Sequence, residues 1–253
     1  MINKYTIYGE RCSGTNYLNK ILDSNFEAKI TWEYGWKHWF GNNDQELKQS
    51  QDTLFICIVR NPVDWINSFY IQQHHLPMKY DTNLIDDDVK IDIFLNQEFF
   101  SINDMDHNYK KWNKELMMDR NMYTGERYKN IFELRHTKIK WMSEDLPKKV
   151  DNYILIRYED LLDNFENTLH SIKNKGLKVK NIECFPVNIY HRCISIGSKS
   201  IIQNDNLNNT YLKKKKKIPE EMILSNPNFI DYYDIKLYNI RKSGYDFNKI
   251  IRD

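Results

Sequence analysis

The stretch Tyr8–Leu22, YGERCSGTNYLNKIL, carries the plainest chemistry in the chain. Gly9 and Gly14 bracket four residues, and a helix-like run follows. A turn of that kind between a strand and a helix aims backbone N–H groups at an anion, and the helix N-terminus favours the same charge. Gly9, Cys12, Gly14 and Asn16 supply backbone to this loop, while Ser13 and Thr15 add hydroxyl donors. A nucleoside-triphosphate loop continues after its second glycine with Lys and then Ser or Thr. Here Thr15 and Asn16 follow, and the nearest cation, Arg11, precedes the glycine. No acidic residue of the kind that holds Mg²⁺ follows a strand, so ATP hydrolysis is not the expected reaction.

Two further segments could meet an anion at the same place. In RNPVDWINSFY (Arg60–Tyr70), Arg60 ends an apolar run, where a charge is costly unless something anionic meets it. Ser68 stands eight positions later, and a guanidinium fork with a hydroxyl suits a terminal phosphate. The bland reading pairs Arg60 with Asp64 as a structural bridge. In GWKHWFG (Gly35–Gly41), His38 titrates near neutrality and could serve as a general base, with Lys37 beside it and aromatic residues to exclude water. A structural histidine is the alternative there.

The elements that must position these residues are readable from pattern. Lys4–Gly9 alternates like a strand, and a helix is expected over Thr15–Ser24. Ala28–Glu33 reads as a second strand. Thr53–Arg60, TLFICIVR, is a continuous apolar run suited to a strand buried on both faces. Asn61 and Pro62 then form a cap and first turn. Asn152–Leu162 repeats strand then helix. Alternation of this kind predicts an α/β fold with three α/β/α layers around a mainly parallel sheet. Residues 76–150 read as a helical insertion over the C-terminal edge of the sheet, with helices near Asp106–Arg120 and Ile131–Glu144. Asp86–Asp88 and Lys213–Lys217 read as solvated faces. No linker divides the chain, so a single domain over 1–253 is expected.

Taken in order, the motifs resemble those of the sulfotransferases that use 3′-phosphoadenosine 5′-phosphosulfate (PAPS). ERCSGTNYL is similar to their 5′-phosphosulfate loop, and RNPVDWINSFY to their 3′-phosphate motif. Lys37–His38 resembles the Lys-His segment that precedes that motif by a similar interval, here 22 residues. RYEDLL (Arg157–Leu162) and KSGYD near the C-terminus match further signatures. The resemblance implies a P-loop NTPase-like sulfotransferase fold and a sulfuryl transfer from PAPS that leaves 3′-phosphoadenosine 5′-phosphate (PAP). Catalytic residues would be His38 as base, with Lys37 or Arg11 as the cation at the leaving oxygen. Gly9, Arg11, Cys12, Ser13, Gly14, Thr15, Asn16, Arg60 and Ser68 would hold the nucleotide. One departure stands out: Cys12 occupies the place of the basic residue that usually precedes Ser-Gly-Thr. The acceptor matches no motif, although Trp112, Arg120, Tyr123, Arg127, Tyr128 and Arg135 of the insertion are candidates to contact it.

Composition narrows the classes without choosing among them. A chain of 253 residues can bury a substantial core. With 37 basic and 35 acidic side chains, no global field argues for nucleic acid or a membrane surface. Cys12, Cys57, Cys184 and Cys193 form no CxxC pair and no ligand spacing with histidine, so neither a metal nor a disulfide framework is expected. No apolar run reaches the roughly 20 residues of a membrane span, and the first strand leaves no room for a signal peptide. A cytoplasmic protein is the expectation.

Overall fold

The computed structural model describes residues 1–40, 44–72, 75–76, 86–102, 115–180, 217–230 and 232–240, with the backbone of two strands at 193–196 and 199–202. The chain begins β1 (Lys4–Tyr8), α1 (Thr15–Asn25), β2 (Lys29–Ile30), α2 (Asp44–Lys48), β3 (Thr53–Val59) and α3 (Pro62–Ile71). It continues α4 (Asp87–Asn96), α5 (Ile131–Lys140), β4 (Tyr153–Arg157), α6 (Tyr158–Asp163) and α7 (Phe165–Lys173). A separate antiparallel pair, β5 (Cys193–Ile196) and β6 (Lys199–Ile202), and short helices α8 (Glu220–Leu224) and α9 (Tyr232–Tyr238) complete the described elements.

β2, β1, β3 and β4 lie in that order in one sheet, and every pairing is parallel. β1 pairs Lys4 with Thr53 through to Tyr8 with Cys57, and β3 pairs Phe55 with Tyr153 through to Val59 with Arg157. All seven residues of β3 are buried, as expected of a central strand covered on both faces. Tyr5, Ile7, Ile56 and Ile58 pack on one face against Leu18 and Leu22 of α1 and Leu169 and Ile172 of α7. Tyr8, Phe55, Cys57 and Val59 pack on the other against Phe40, Leu47 of α2 and Ile139 of α5. The architecture is therefore a three-layer α/β/α sandwich. Burying each large apolar side chain contributes about 1.5–3 kcal/mol.

Strand order fixes where a ligand can sit. From β1 the chain moves outward to β2, and from β3 it moves the other way to β4, so the connections diverge above the β1–β3 pair. Open α/β sheets bind ligands in the crevice at such a point, beyond the carboxyl ends of the strands. The loop after β1 and Arg60 after β3 both lie there. A third apolar cluster joins Trp65 and Phe69 of α3 to Phe94 of α4 and Leu134 of α5, with Cys12 packed against it. The stretch between β3 and β4 thereby touches the loop.

Several elements differ from the sequence expectation. β2 has two residues rather than six, because the backbone turns at once after it and Gly35 N–H donates to the Trp32 carbonyl (3.1 Å). Of the helix expected near Asp106–Arg120, only a 3₁₀ turn at Met117–Asp119 falls among the described residues. Residues 103–114, with His107 and Trp112, lie outside them, as do Lys213–Lys216 and the KSGYD segment. The helix expected to Glu144 runs as α5 to Lys140 and continues as a π-turn over Trp141–Asp145. Asp86 caps α4 by accepting from Asp88 N–H (2.8 Å), so the acidic run is a helix start as well as a solvated face. The β5–β6 pair was not anticipated. In the sequence, Gly197–Ser198 between the short runs CISI and KSII is the signal that could have marked it. No helix among the described residues is long and apolar enough to cross a membrane.

Candidate active site

The loop 9–14 is shaped by two residues in the left-handed region, Cys12 (φ 64°) and Gly14 (φ 92°). Gly14 could carry no side chain in any case: a Cβ there would lie 2.3 Å from the Tyr158 ring, which covers the loop from the start of α6. Gly9 is equally constrained, since its Cβ would meet the Ile58 carbonyl of the adjacent strand at 2.7 Å. The turn closes with Ser13 N–H donating to the Glu10 carbonyl (3.1 Å), and α1 begins at Thr15. Among the described residues no acceptor takes the N–H groups of Gly14, Thr15 and Asn16. They are the donors that an anion at a helix N-terminus engages.

The segment carrying Lys37 and His38 is fastened to this loop. Gly9 N–H donates to the Lys37 carbonyl (3.0 Å), and His38 Nδ1 lies 2.7 Å from the Gly9 carbonyl. A carbonyl only accepts, so Nδ1 carries the proton and Nε2 keeps its lone pair. Burial, reinforced by the nearby Lys37 charge, pushes the His38 ring well below 6.5, against the opposing pull of the Gly9 bond. The imidazole is neutral at physiological pH, as a proton acceptor must be. Lys37 Nζ donates to Asn16 Oδ1 in the first turn of α1. Burial lowers its ammonium to about 8, and no carboxylate pairs with it among the described residues.

Arg60 and Ser68 meet the loop at one residue. Arg60 Nη1 donates to the Cys12 carbonyl (3.0 Å), the Cys12 thiol donates to Gln72 Oε1 (4.0 Å), and the Ser68 hydroxyl lies near enough to that thiol to draw its pKa down against burial. The Arg60 guanidinium lies over the Tyr158 ring at 5.0 Å. Its Nε is buried without an acceptor and its Nη1 goes to a backbone carbonyl rather than to Asp64, so the structural bridge weighed from sequence does not form. The guanidinium thus ends at the loop with donors to spare and, among the described residues, no carboxylate partner. Burial pushes the Cys12 thiol up to about 11, so it stays protonated, an apolar and hydrogen-bonding element of the loop.

Arg11 requires a correction. Its guanidinium is buried, donating to Ser101 Oγ (2.6 Å) and pairing with Asp119 (3.0 Å) between the rings of Phe69 and Phe99. Its side-chain partners all belong to the β3–β4 stretch, not to the end of the loop that carries the free amides of Gly14, Thr15 and Asn16. Beside it, Lys138 of α5 donates to the His38 carbonyl (2.7 Å) and pairs with Asp119 and with Glu10 (3.1 Å). Burial pushes the Asp119 carboxyl up, but Lys138 and Arg11 outweigh it and hold it below the usual range. For Glu10 burial prevails and the carboxyl is raised. This buried cluster braces both the loop and the His38 turn.

Sequence reasoning missed Tyr158, Asp119 and Lys138. Tyr158 lies inside the RYEDLL motif, but its role over Gly14 is visible only in three dimensions. Asp119 and Lys138 join the loop from over 100 residues away, and no local pattern announces such a pairing. Of the insertion's candidate contacts, Arg120 and Arg127 both pair with Glu115 (3.0 and 2.7 Å), and Arg135 pairs with Asp234 (2.7 Å). Tyr128 is fully buried, while Tyr123 is exposed and donates to Asp145. No group of side chains suited to a metal ion occurs among the described residues.

No family model matches the chain, and no curated protein matches its sequence. Among solved structures it is similar to mouse sulfotransferase SULT7A1 complexed with PAP, at 15% identity and a TM-score of 0.38 over 68% of this chain. The chain spans 58% of the length of that structure. A likeness that low leaves the assignment to rest on the chain's own geometry.

Proposed function

We propose that the protein is a sulfotransferase on a P-loop-like sulfotransferase fold, moving the sulfuryl group of PAPS to a hydroxyl or amine of its acceptor. The observation that carries this reading is the convergence of two segments on one loop: His38 on the Gly9 carbonyl, and Arg60 on the Cys12 carbonyl with Ser68 near the Cys12 thiol. The amides of Gly14, Thr15 and Asn16, with the hydroxyls of Ser13 and Thr15, would hold the 5′-phosphosulfate. Arg60 and Ser68 would hold the 3′-phosphate, the group that separates PAPS from ATP. His38 Nε2 takes the acceptor proton as the acceptor oxygen bonds to sulfur. The bond between sulfur and the 5′-phosphate oxygen breaks, and PAP departs with that electron pair. Lys37 offsets the charge growing on the leaving oxygen, the role for which Arg11 is misplaced. As in phosphoryl transfer, the protein contributes mainly position and charge.

The burial of Arg11 favours one rival, a module that binds the nucleotide without turning it over. Thermal-shift measurements with PAP and with ATP·Mg²⁺, followed by an assay of PAPS consumption, test the reading. The proposal expects PAP to stabilise strongly, ATP·Mg²⁺ weakly, and PAPS to be consumed when acceptor is present. Stabilisation by ATP·Mg²⁺ alone points instead to a P-loop kinase.

A further inference from the structure

We propose that Trp32 and Trp36 form the acceptor shelf of this site and that the acceptor is a sugar, its pyranose ring stacked on these indoles with one hydroxyl presented to His38. The proposal rests on the sulfuryl-transfer reading for its chemistry but on separate residues for its geometry. The two indoles are stacked, with centroids 4.9 Å apart and planes 28° apart, and they remain 43% and 41% exposed. Trp39 continues the row, 6.2 Å from Trp36. The turn that presents them is tight. Gly35 (φ 92°) reverses the backbone, and Trp39 N–H donates to the Trp36 carbonyl (2.9 Å), which leaves Lys37 and His38 at the tip. Lys37 Nζ lies 5.3 Å from the Trp36 ring while it bonds Asn16, so the shelf reaches the edge of the nucleotide loop.

Indoles are the largest apolar side chains, and a stacked pair left open beside a reactive site is a marked surface feature. Among the described residues, the insertion's arginines that could have met an acceptor are committed to internal ion pairs, whereas the two indoles stand open in the same turn as His38. Its openness selects the ligand. A small apolar alcohol or phenol gains affinity by enclosure of most of its surface in a pocket. A sugar has an apolar C–H face that stacks on an indole and a hydroxyl rim that stays in water, and so suits an open shelf.

The test is saturation-transfer NMR on the full chain, without nucleotide, using maltotetraose, cellotetraose and chitotetraose, with 2-naphthol as the phenol. The expected result is saturation of ring C–H protons in at least one sugar, with affinity about tenfold weaker in Trp36→Ala and partly restored in Trp36→Phe. PAP affinity in Trp36→Ala should stay within about fivefold, the size of an exposed cation–π contact with Lys37. The proposal is overturned if no sugar is saturated, if the signal survives both Trp32→Ala and Trp36→Ala, or if only 2-naphthol responds. It is likewise overturned if sedimentation shows a dimer that Trp36→Ala converts to monomer while no sugar binds. Sugar binding without any PAP binding would instead remove the transferase reading and keep the shelf.

Discussion

His38 is held between a bond that favours its charged form and a burial that opposes it, and burial wins. The Gly9 carbonyl fixes the tautomer, so Nε2 is the basic atom, with no carboxylate partner among the described residues. Transfer measured between about pH 5 and pH 8 should therefore lose rate on the acid side only below the ordinary histidine value. His38→Ala should abolish transfer and keep PAP binding, and wild-type turnover in that variant would remove His38 from the base role. The stability consequence has a definite sign. In the unfolded chain this imidazole takes a proton as pH falls through 6.5, whereas in the folded chain it does so only well below that value. Proton uptake then favours the unfolded state, so the contribution is present above 6.5 and is lost as pH falls beneath it. At this scale the meeting of His38 and Arg60 with one loop could be read from the sequence, because each follows a strand end by a short stretch. Arg11 was misread because its direction depends on the φ of Cys12 and on Asp119, a residue 108 positions away.

The elements explain why those offsets hold. β3 ends at Val59, and Asn61 caps α3 by accepting from Val63 and Asp64 N–H (3.0 and 3.4 Å), so Ser68 follows on a rigid helix. The turn before α1 depends on Gly14 twice, through its positive φ and through the Tyr158 ring pressed against it. Gly14→Ala should destabilise by at least about 1–3 kcal/mol from the backbone alone, with more from the ring contact, read in a urea melt. A melt unchanged from wild type would mean that the loop is free to reshape. The parallel sheet and its main helices were readable because buried apolar runs and cap residues announce themselves locally. The shortness of β2 and the β5–β6 pair were not. An edge strand's length is decided by its partner and by the turn at Gly35, and a two-residue turn is a weak signal beside long helical patterns.

In the whole molecule, the stretch between β3 and β4 is tied to the loop by charge as well as by apolar packing. Arg11, Asp119, Lys138 and Glu10 are all buried, and Asp119 is the anion shared by both cations. Asp119→Ala would leave Arg11 and Lys138 undercompensated in the interior. It should cost about 3–5 kcal/mol in denaturant melts, with PAP affinity lowered only as far as the loop loosens. A cost below about 1 kcal/mol, the scale of a surface pair, would show that the cluster is not the brace it resembles. Both ends of one nucleotide would be gripped in the crevice above β1 and β3. Calorimetric titration of PAP into the wild-type chain and into Arg60→Ala tests it most directly. The account predicts a loss of about 2 kcal/mol or more in binding free energy for the variant; equal affinity, or no binding of PAP to the wild type, contradicts it.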